Sequence, residues 1–153
     1  MTQLATTDLR GGELIVCSFS QTGPGFWIAD GPFFRLPETA RDDQLGTALE
    51  NALGASRTGA SPPPRGSTPF DPVLRELRLR SYGEYMRGTL SAGITRDGDQ
   101  VVVTPRHNGG RRTGFTELLD QSETLTGPSP LALALAVRRA LARATRDSGT
   151  AGD

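Results

Sequence analysis

A chain of 153 residues is long enough to bury one sizeable core and short for two domains. Its 17 basic residues, every one an Arg, balance 17 acidic ones, so no global field draws it to nucleic acid or to a membrane surface. One Cys and one His exclude an internal disulfide and a zinc-type cluster, and the lack of any Lys excludes a Walker phosphate loop.

The first twelve residues carry neither a basic n-region nor an apolar stretch, so no secretory leader is expected. The longest apolar run, Leu131 to Val137, falls far short of the roughly 18–20 residues that span a bilayer. With its lone thiol, the chain reads as a soluble protein of a reducing, cytoplasmic compartment.

In chain order, Glu13–Ser20, Phe26–Asp30 and Phe33–Leu36 are short apolar runs separated by Gly and Pro, and read as three strands of a meander. Asp42–Leu53 follows as a helix with Leu45, Ala48, Leu49, Ala52 and Leu53 on one stripe, acids in its first turn and Gly54 at its stop. Residues 56–69 contain no core-forming side chain and are expected as a mobile loop inside a single domain of residues 1–153. Asp71–Leu79 fits a helical turn or a strand equally. Ser81 with Glu84 three residues on resembles a capping box for a short helix through Arg87.

Asp97-Gly98, between Leu90–Ile94 and Val101–Thr104, is a hairpin signal. Arg106–Gly114 reads as a polar loop, and Thr116–Thr126 as room for another strand. Pro130 to about Arg146 is a helix with Ser129 as its N-cap. Its apolar face is Leu133, Val137, Ala140, Leu141 and Ala144, with Arg139, Arg143 and Arg146 opposite. Residues 147–153 are expected as a disordered tail. The fold class is α+β: a mainly antiparallel sheet with the C-terminal helix and one or two further helices packed on it.

Catalytic signals are sparse. Cys17 sits in an apolar strand, where a thiol is buried and inert. No G-x-S-x-G elbow is present, and Ile28 stands where a dinucleotide fingerprint opened by Gly23-Pro24-Gly25 needs its third Gly. Asp97 and Asp99 flank a turn, the ordinary place for solvated acids rather than magnesium ligands. Neither a metal nor a cofactor is expected. Two chemical alternatives stand: a phosphate or nucleic-acid module using Arg106, His107, Arg111 and Arg112, and a small hydrolase using His107 with a carboxylate. Against the first, no aromatic side chain interleaves with the Arg residues for base stacking. Four of the nine aromatics, Phe26, Trp27, Phe33 and Phe34, cluster within nine positions; alternation should bury Trp27 and one Phe.

The order of elements from about Gln44 to Arg143 is the last signal. A short Tyr-bearing helix (RSYGEYMRG) precedes a hairpin ending in Val-Thr-Pro, a loop, a polar strand and the helix SPLALALAVRRALAR. With Leu45-Gly46, Ala48-Leu49, Ser56-Arg57, Tyr82 and Pro105, this pattern resembles the immunity proteins of bacterial contact-dependent growth inhibition, the CdiI family. The Pro62–Pro69 loop and the Gly109–Gly114 segment depart from it. The resemblance implies a non-enzymatic cytoplasmic protein, monomer or weak dimer, whose partner is a cognate toxin C-terminal domain, a nuclease in many cases. Because nuclease clefts are basic, the acids of FTELLDQSE, namely Glu117, Asp120 and Glu123, are the expected toxin contacts.

Overall fold

The structure is a computed structural model that describes residues 1–147. It is an α+β single domain in which, among the described residues, nine strands form one mostly antiparallel sheet and five helices cover parts of it. The strands are β1 (Thr2–Arg10), β2 (Glu13–Thr22), β3 (Trp27–Pro37), β4 (Thr58–Ala60), β5 (Leu90–Asp97), β6 (Gln100–Asn108), β7 (Phe115–Glu117), β8 (Glu123–Thr126) and β9 (Thr145–Arg146). The helices are α1 (Asp42–Ala55), α2 (Asp71–Leu77), α3 (Tyr82–Met86), α4 (Gly110–Thr113) and α5 (Pro130–Arg143). The main path runs β3-β2-β1-β5-β6-β7, with β8 also on β6, and with β4 and β9 added in parallel to β2 and β6. No helix among the described residues is long and apolar enough to cross a membrane.

Strict alternation sorts the strands into two faces. Ala5, Leu14, Val16, Ala92, Ile94, Val101 and Val103 point to the first, where Leu45, Leu49 and Leu53 of α1 meet Leu133, Val137 and Leu141 of α5. Gly46 lets the two helices touch: a Cβ there would lie 2.4 Å from the carbonyl oxygen of Pro130. Arg138 fastens the pair, its Nε 2.6 Å from Asp42 Oδ1 and its terminal nitrogens donating to the carbonyls of Glu38 and Ala40. Ser129 caps α5 by accepting from the Ala132 N–H at 3.1 Å. The second face holds a smaller core of Ile15, Cys17, Ala29, Val73, Tyr85 and Met86 under α2 and α3.

Helices α1, α3 and α5 and the hairpin form where the sequence reading places them, and Gly98 turns the chain with φ +63°. Helix α1, however, runs through Gly54 to Ala55 and is closed by Ser56 in extended backbone instead of by a left-handed glycine. Other expectations are corrected. The first ten residues, which show no apolar alternation, form the central strand β1, because Thr6, Thr7 and Asp8 are buried polar residues on it. The second and third strands of the expected meander are one strand, β3; Asp30 to Pro32 bulge out where the register against β2 shifts between Cys17 and Phe19. An edge strand accommodates Pro32, which has no backbone N–H, because no further strand there requires a donor. Trp27 is only half-buried and Phe26 is exposed, while Phe33 and Phe34 pack on opposite cores.

Segment 56–69, expected as one mobile loop, begins as fixed structure. Ser56 Oγ accepts from the Leu4 N–H and donates to the Phe19 carbonyl, and β4 pairs with β2. Asp71–Leu77 resolves as helix, closed by Arg78 in the left-handed region at φ +56°. Thr116–Thr126 is two strands split by a single 3-10 turn at Leu119–Gln121. The last helix ends at Arg143, so that Thr145 and Arg146 join β6. Of the expected tail, Asp147 donates its N–H to the Asn108 carbonyl at 2.9 Å; 148–153 lie outside the described residues.

Candidate protein-binding surface

The second face of the sheet is covered only at one end. There a single cross-strand row carries Asp8, Ser91, Arg106 and Glu117 on β1, β5, β6 and β7, each opposite the next. Ser91 Oγ donates to Asp8 Oδ1 at 2.5 Å and accepts from Arg106 Nη2 at 2.6 Å. The Tyr85 hydroxyl, reaching down from α3, donates to the other Asp8 oxygen. Arg106 lies 3.9 Å from Asp8 Oδ1, and its guanidinium is 4.4 Å from the centre of the Phe115 ring. Burial raises the Asp8 carboxyl above the ordinary carboxylate range, against the opposing pull of Arg106 and the two hydroxyls. Burial and the neighbouring Asp8 carboxylate raise the Tyr85 phenol well above its ordinary value. The row is a satisfied buried network that seats α3 on the sheet.

Two rungs away the face narrows to a groove whose floor includes buried Gly93 and Thr104. Leu4, Thr95 and Val102 form one cross-strand row, and Thr6, Gly93 and Thr104 the next. Gly93 supplies no side chain, and a groove of about 210 Å³ opens there, rimmed by Glu117, Leu119 and Ser122. Leu119, on the 3-10 turn beside Asp120, is 68% exposed. A large apolar side chain held at that exposure by an ordered turn, between two carboxylates, has the form of a binding anchor rather than of core.

On the covered end, α2's exit, α3 and α4 enclose a separate cleft of about 780 Å³ lined by Arg78, Arg80, Arg87 and Arg111 together with Glu84. Asn108 builds it. Its amide donates to the carbonyls of Met86 and Thr89 at 2.6 and 2.8 Å and its oxygen accepts from the Gly110 N–H at 2.9 Å, so the end of α3 and the start of α4 are clamped side by side. Gly83 makes room for the Arg111 side chain, whose Cδ would come within 3.3 Å of any Cβ there. Ser81 caps α3 by accepting from the Glu84 N–H, but the expected capping box is only half formed, because the Glu84 carboxylate takes the N–H of Arg80 rather than that of Ser81.

The acids and bases singled out in the sequence are therefore divided. Glu117 and Asp120 are exposed beside Leu119, whereas Glu123 is turned onto α5, where Arg139 grips both its oxygens at 3.0 and 2.6 Å and lowers its pKa. Arg106 faces inward onto Ser91. His107 points to the other side of β6, its two nitrogens each 2.7 Å from Thr145 Oγ1 and Asp147 Oδ1. Arg111 lines the cleft, and Arg112 stands exposed outside its lining. The four do not converge on one phosphate, and the polar loop expected over Arg106–Gly114 is instead the end of β6 followed by one helical turn. Among the described residues no group of three or more His, Cys, Asp and Glu is placed to hold a metal.

Sequence reasoning passed over Leu119, Asp8 and the Arg78–Arg80 pair. The last had a legible signal, because basic and apolar residues alternate through LRELRLRS. Leu119 had none beyond its place in an otherwise acidic, polar run.

No protein-family model matches the sequence, and no curated protein matches it. Solved structures share the fold. A chain of the CdiA-CT/CdiI toxin and immunity complex from Yersinia pseudotuberculosis aligns at a TM-score of 0.78 over 94% of this chain and 98% of its own, with 16% identity. A protein of unknown function from Neisseria meningitidis aligns at 0.76 over 94% and 96%, with 18% identity.

Proposed function

We propose that this chain is an immunity protein of the contact-dependent growth inhibition type, which captures a cognate toxin domain in the cytoplasm and covers the toxin's active or substrate-binding surface. The observation that carries the reading is the groove on the second sheet face, where exposed Leu119 stands between Glu117 and Asp120 at the rim. The likeness in fold to a chain of a toxin and immunity complex, over nearly the whole length of both, supports it.

A nuclease toxin presents a basic cleft to its nucleic acid, and the surface suits one. Neither Glu117 nor Asp120 is paired with an Arg among the described residues, so both carboxylates are available to steer encounter. Leu119 then slows release as it is desolvated. Glu123 acts indirectly, holding β8 to α5 through Arg139. Inhibition of this kind needs tight, stoichiometric cover and no turnover.

The test is calorimetry with the toxin-like C-terminal domain encoded beside the gene, together with growth rescue on the same pair. Stoichiometric binding with rescue is expected. Absence of both overturns the reading. The Glu117→Gln/Asp120→Asn double variant should slow association and flatten its salt dependence while leaving the fold intact.

A further inference from the structure

The arginines of this chain are distributed unevenly between paired and unpaired. Arg35, Arg41, Arg57, Arg96, Arg138 and Arg139 each hold a carboxylate at 3.1 Å or closer. Arg78, Arg80, Arg87 and Arg111 hold none among the described residues, and these four line one cleft. Arg10, Arg65, Arg75, Arg112, Arg143 and Arg146 hold none either, but none of them lines this cleft, so four of the ten unpaired guanidinium groups among the described residues share one concavity. The one acid in the lining, Glu84, already accepts the Arg80 N–H just ahead of α3.

A second observation marks the same place. Among the described residues, Arg78 is the only non-glycine residue with positive φ, at +56°. It closes α2 at the position where glycine is the usual residue. Keeping any residue with a Cβ in left-handed backbone is costly, and such strain concentrates where a side chain is needed in one direction.

We propose that this cleft is an anion-recognition site that takes an acidic polypeptide segment of the protein partner. Forked guanidinium groups match carboxylates in paired hydrogen bonds. Nucleic acid is disfavoured on two grounds. No aromatic ring lines the cleft for stacking. The charges converge on one hollow rather than forming a stripe along which a backbone could run. The inference rests on the reading that the chain captures a protein, and adds a second contact of opposite sign to the acidic rim around Leu119.

The experiment is fluorescence anisotropy of labelled octaglutamate, and separately of an eight-nucleotide uridine RNA, titrated with the full chain at low and high salt. Wild type should bind octaglutamate at low salt. The Arg78→Gln/Arg80→Gln/Arg111→Gln variant should bind it about tenfold more weakly, and Arg112→Gln, outside the lining, within about twofold of wild type. The RNA should bind more weakly than the peptide. Should the triple variant not fold, Arg80→Glu alone, a charge reversal at an exposed site, must show the same loss. No binding of octaglutamate, equal binding by the cleft variants, or tighter binding of the RNA each overturns the proposal. Failure of toxin capture in calorimetry would remove the immunity reading without altering these titrations. Normal capture by a triple variant that has also kept its octaglutamate affinity would remove the cleft and leave the immunity reading standing.

Discussion

The two faces of the sheet come from the same strands and are built on different principles. On the first, the side chains from β1, β2, β5 and β6 that meet α1 and α5 are mostly aliphatic and form one continuous core, with the buried hydroxyls of Thr7 and Ser18 the exceptions. On the second, the alternate residues of those strands include Thr6, Asp8, Ser91, Thr104 and Arg106, and the covering helices are short and leave a groove open beside them. Burying a carboxylate and a guanidinium together gives little net stability, so the second face contributes less to the fold than its area suggests. What it gains is polar groups fixed in place beneath and beside two open concavities. One face makes the domain stable, and the other makes it specific.

The same chemical change made on each face should separate these roles. Leu49→Ala removes a fully buried side chain facing α5 and should cost about 2–5 kcal/mol in denaturant unfolding. The folded fraction should bind toxin unchanged. Leu119→Ala, at a residue 68% exposed, should cost less than about 0.5 kcal/mol and lower toxin affinity by about tenfold or more in calorimetry. Comparable stability losses from the two would break the division between the faces.

A second contrast tests the first face alone. Helix propensity favours Ala over Gly by about 1 kcal/mol, yet Gly46→Ala would drive a methyl against the Pro130 carbonyl. It should lose about 1–3 kcal/mol. Gly54→Ala, in the same helix with open space around it, should instead gain up to about 1 kcal/mol. If both gain, the α1–α5 contact is looser than described.

How much of this was legible follows the same division. The first face was readable because its residues repeat with helical or strand period: the stripe of α1, the stripe of α5 and the Val-rich run of β6 each announce a buried side. β1 was not, because Asp8 is buried for reasons that only its partners on β5 and α3 explain, and no local pattern marks a buried Asp. The acids of FTELLDQSE were found as a group, but Glu123 was separated from them by Arg139, sixteen residues away. The arginine loop failed likewise: adjacent strand residues point to opposite faces, so Arg106 and His107 could not share a ligand once β6 extended through them.

The buried network should show itself in pH dependence. Asp8 has its pKa raised on folding, chiefly by desolvation. The native chain therefore keeps this proton after the unfolded chain has lost it, and stability falls as pH rises from the unfolded value near 4 through the folded one. Stability from Asp8 is fullest below that window. Asp8→Asn should abolish this component, and the difference between the two stability curves should slope by at most about 1.4 kcal/mol per pH unit. Parallel curves across the window would mean that Arg106, Ser91 and Tyr85 neutralise the burial completely.

The smallest expected effect is the most discriminating for the second face. Arg78→Gly relieves left-handed strain while adding backbone freedom to the unfolded chain, and the balance should be a gain of about 0.5–1 kcal/mol. The same substitution removes one of the four cleft charges and should weaken octaglutamate binding by about threefold. Arg78→Ala separates the two consequences, because it deletes the charge and keeps the strain at φ +56°. It should weaken binding equally with no gain in stability. A residue that lowers stability where it stands, and lowers affinity when replaced by the one that backbone geometry prefers, is retained for its side chain. If Arg78→Gly gains stability and binds octaglutamate as wild type does, the strain has no functional counterpart, and the cleft recognises anions through the other three arginines alone.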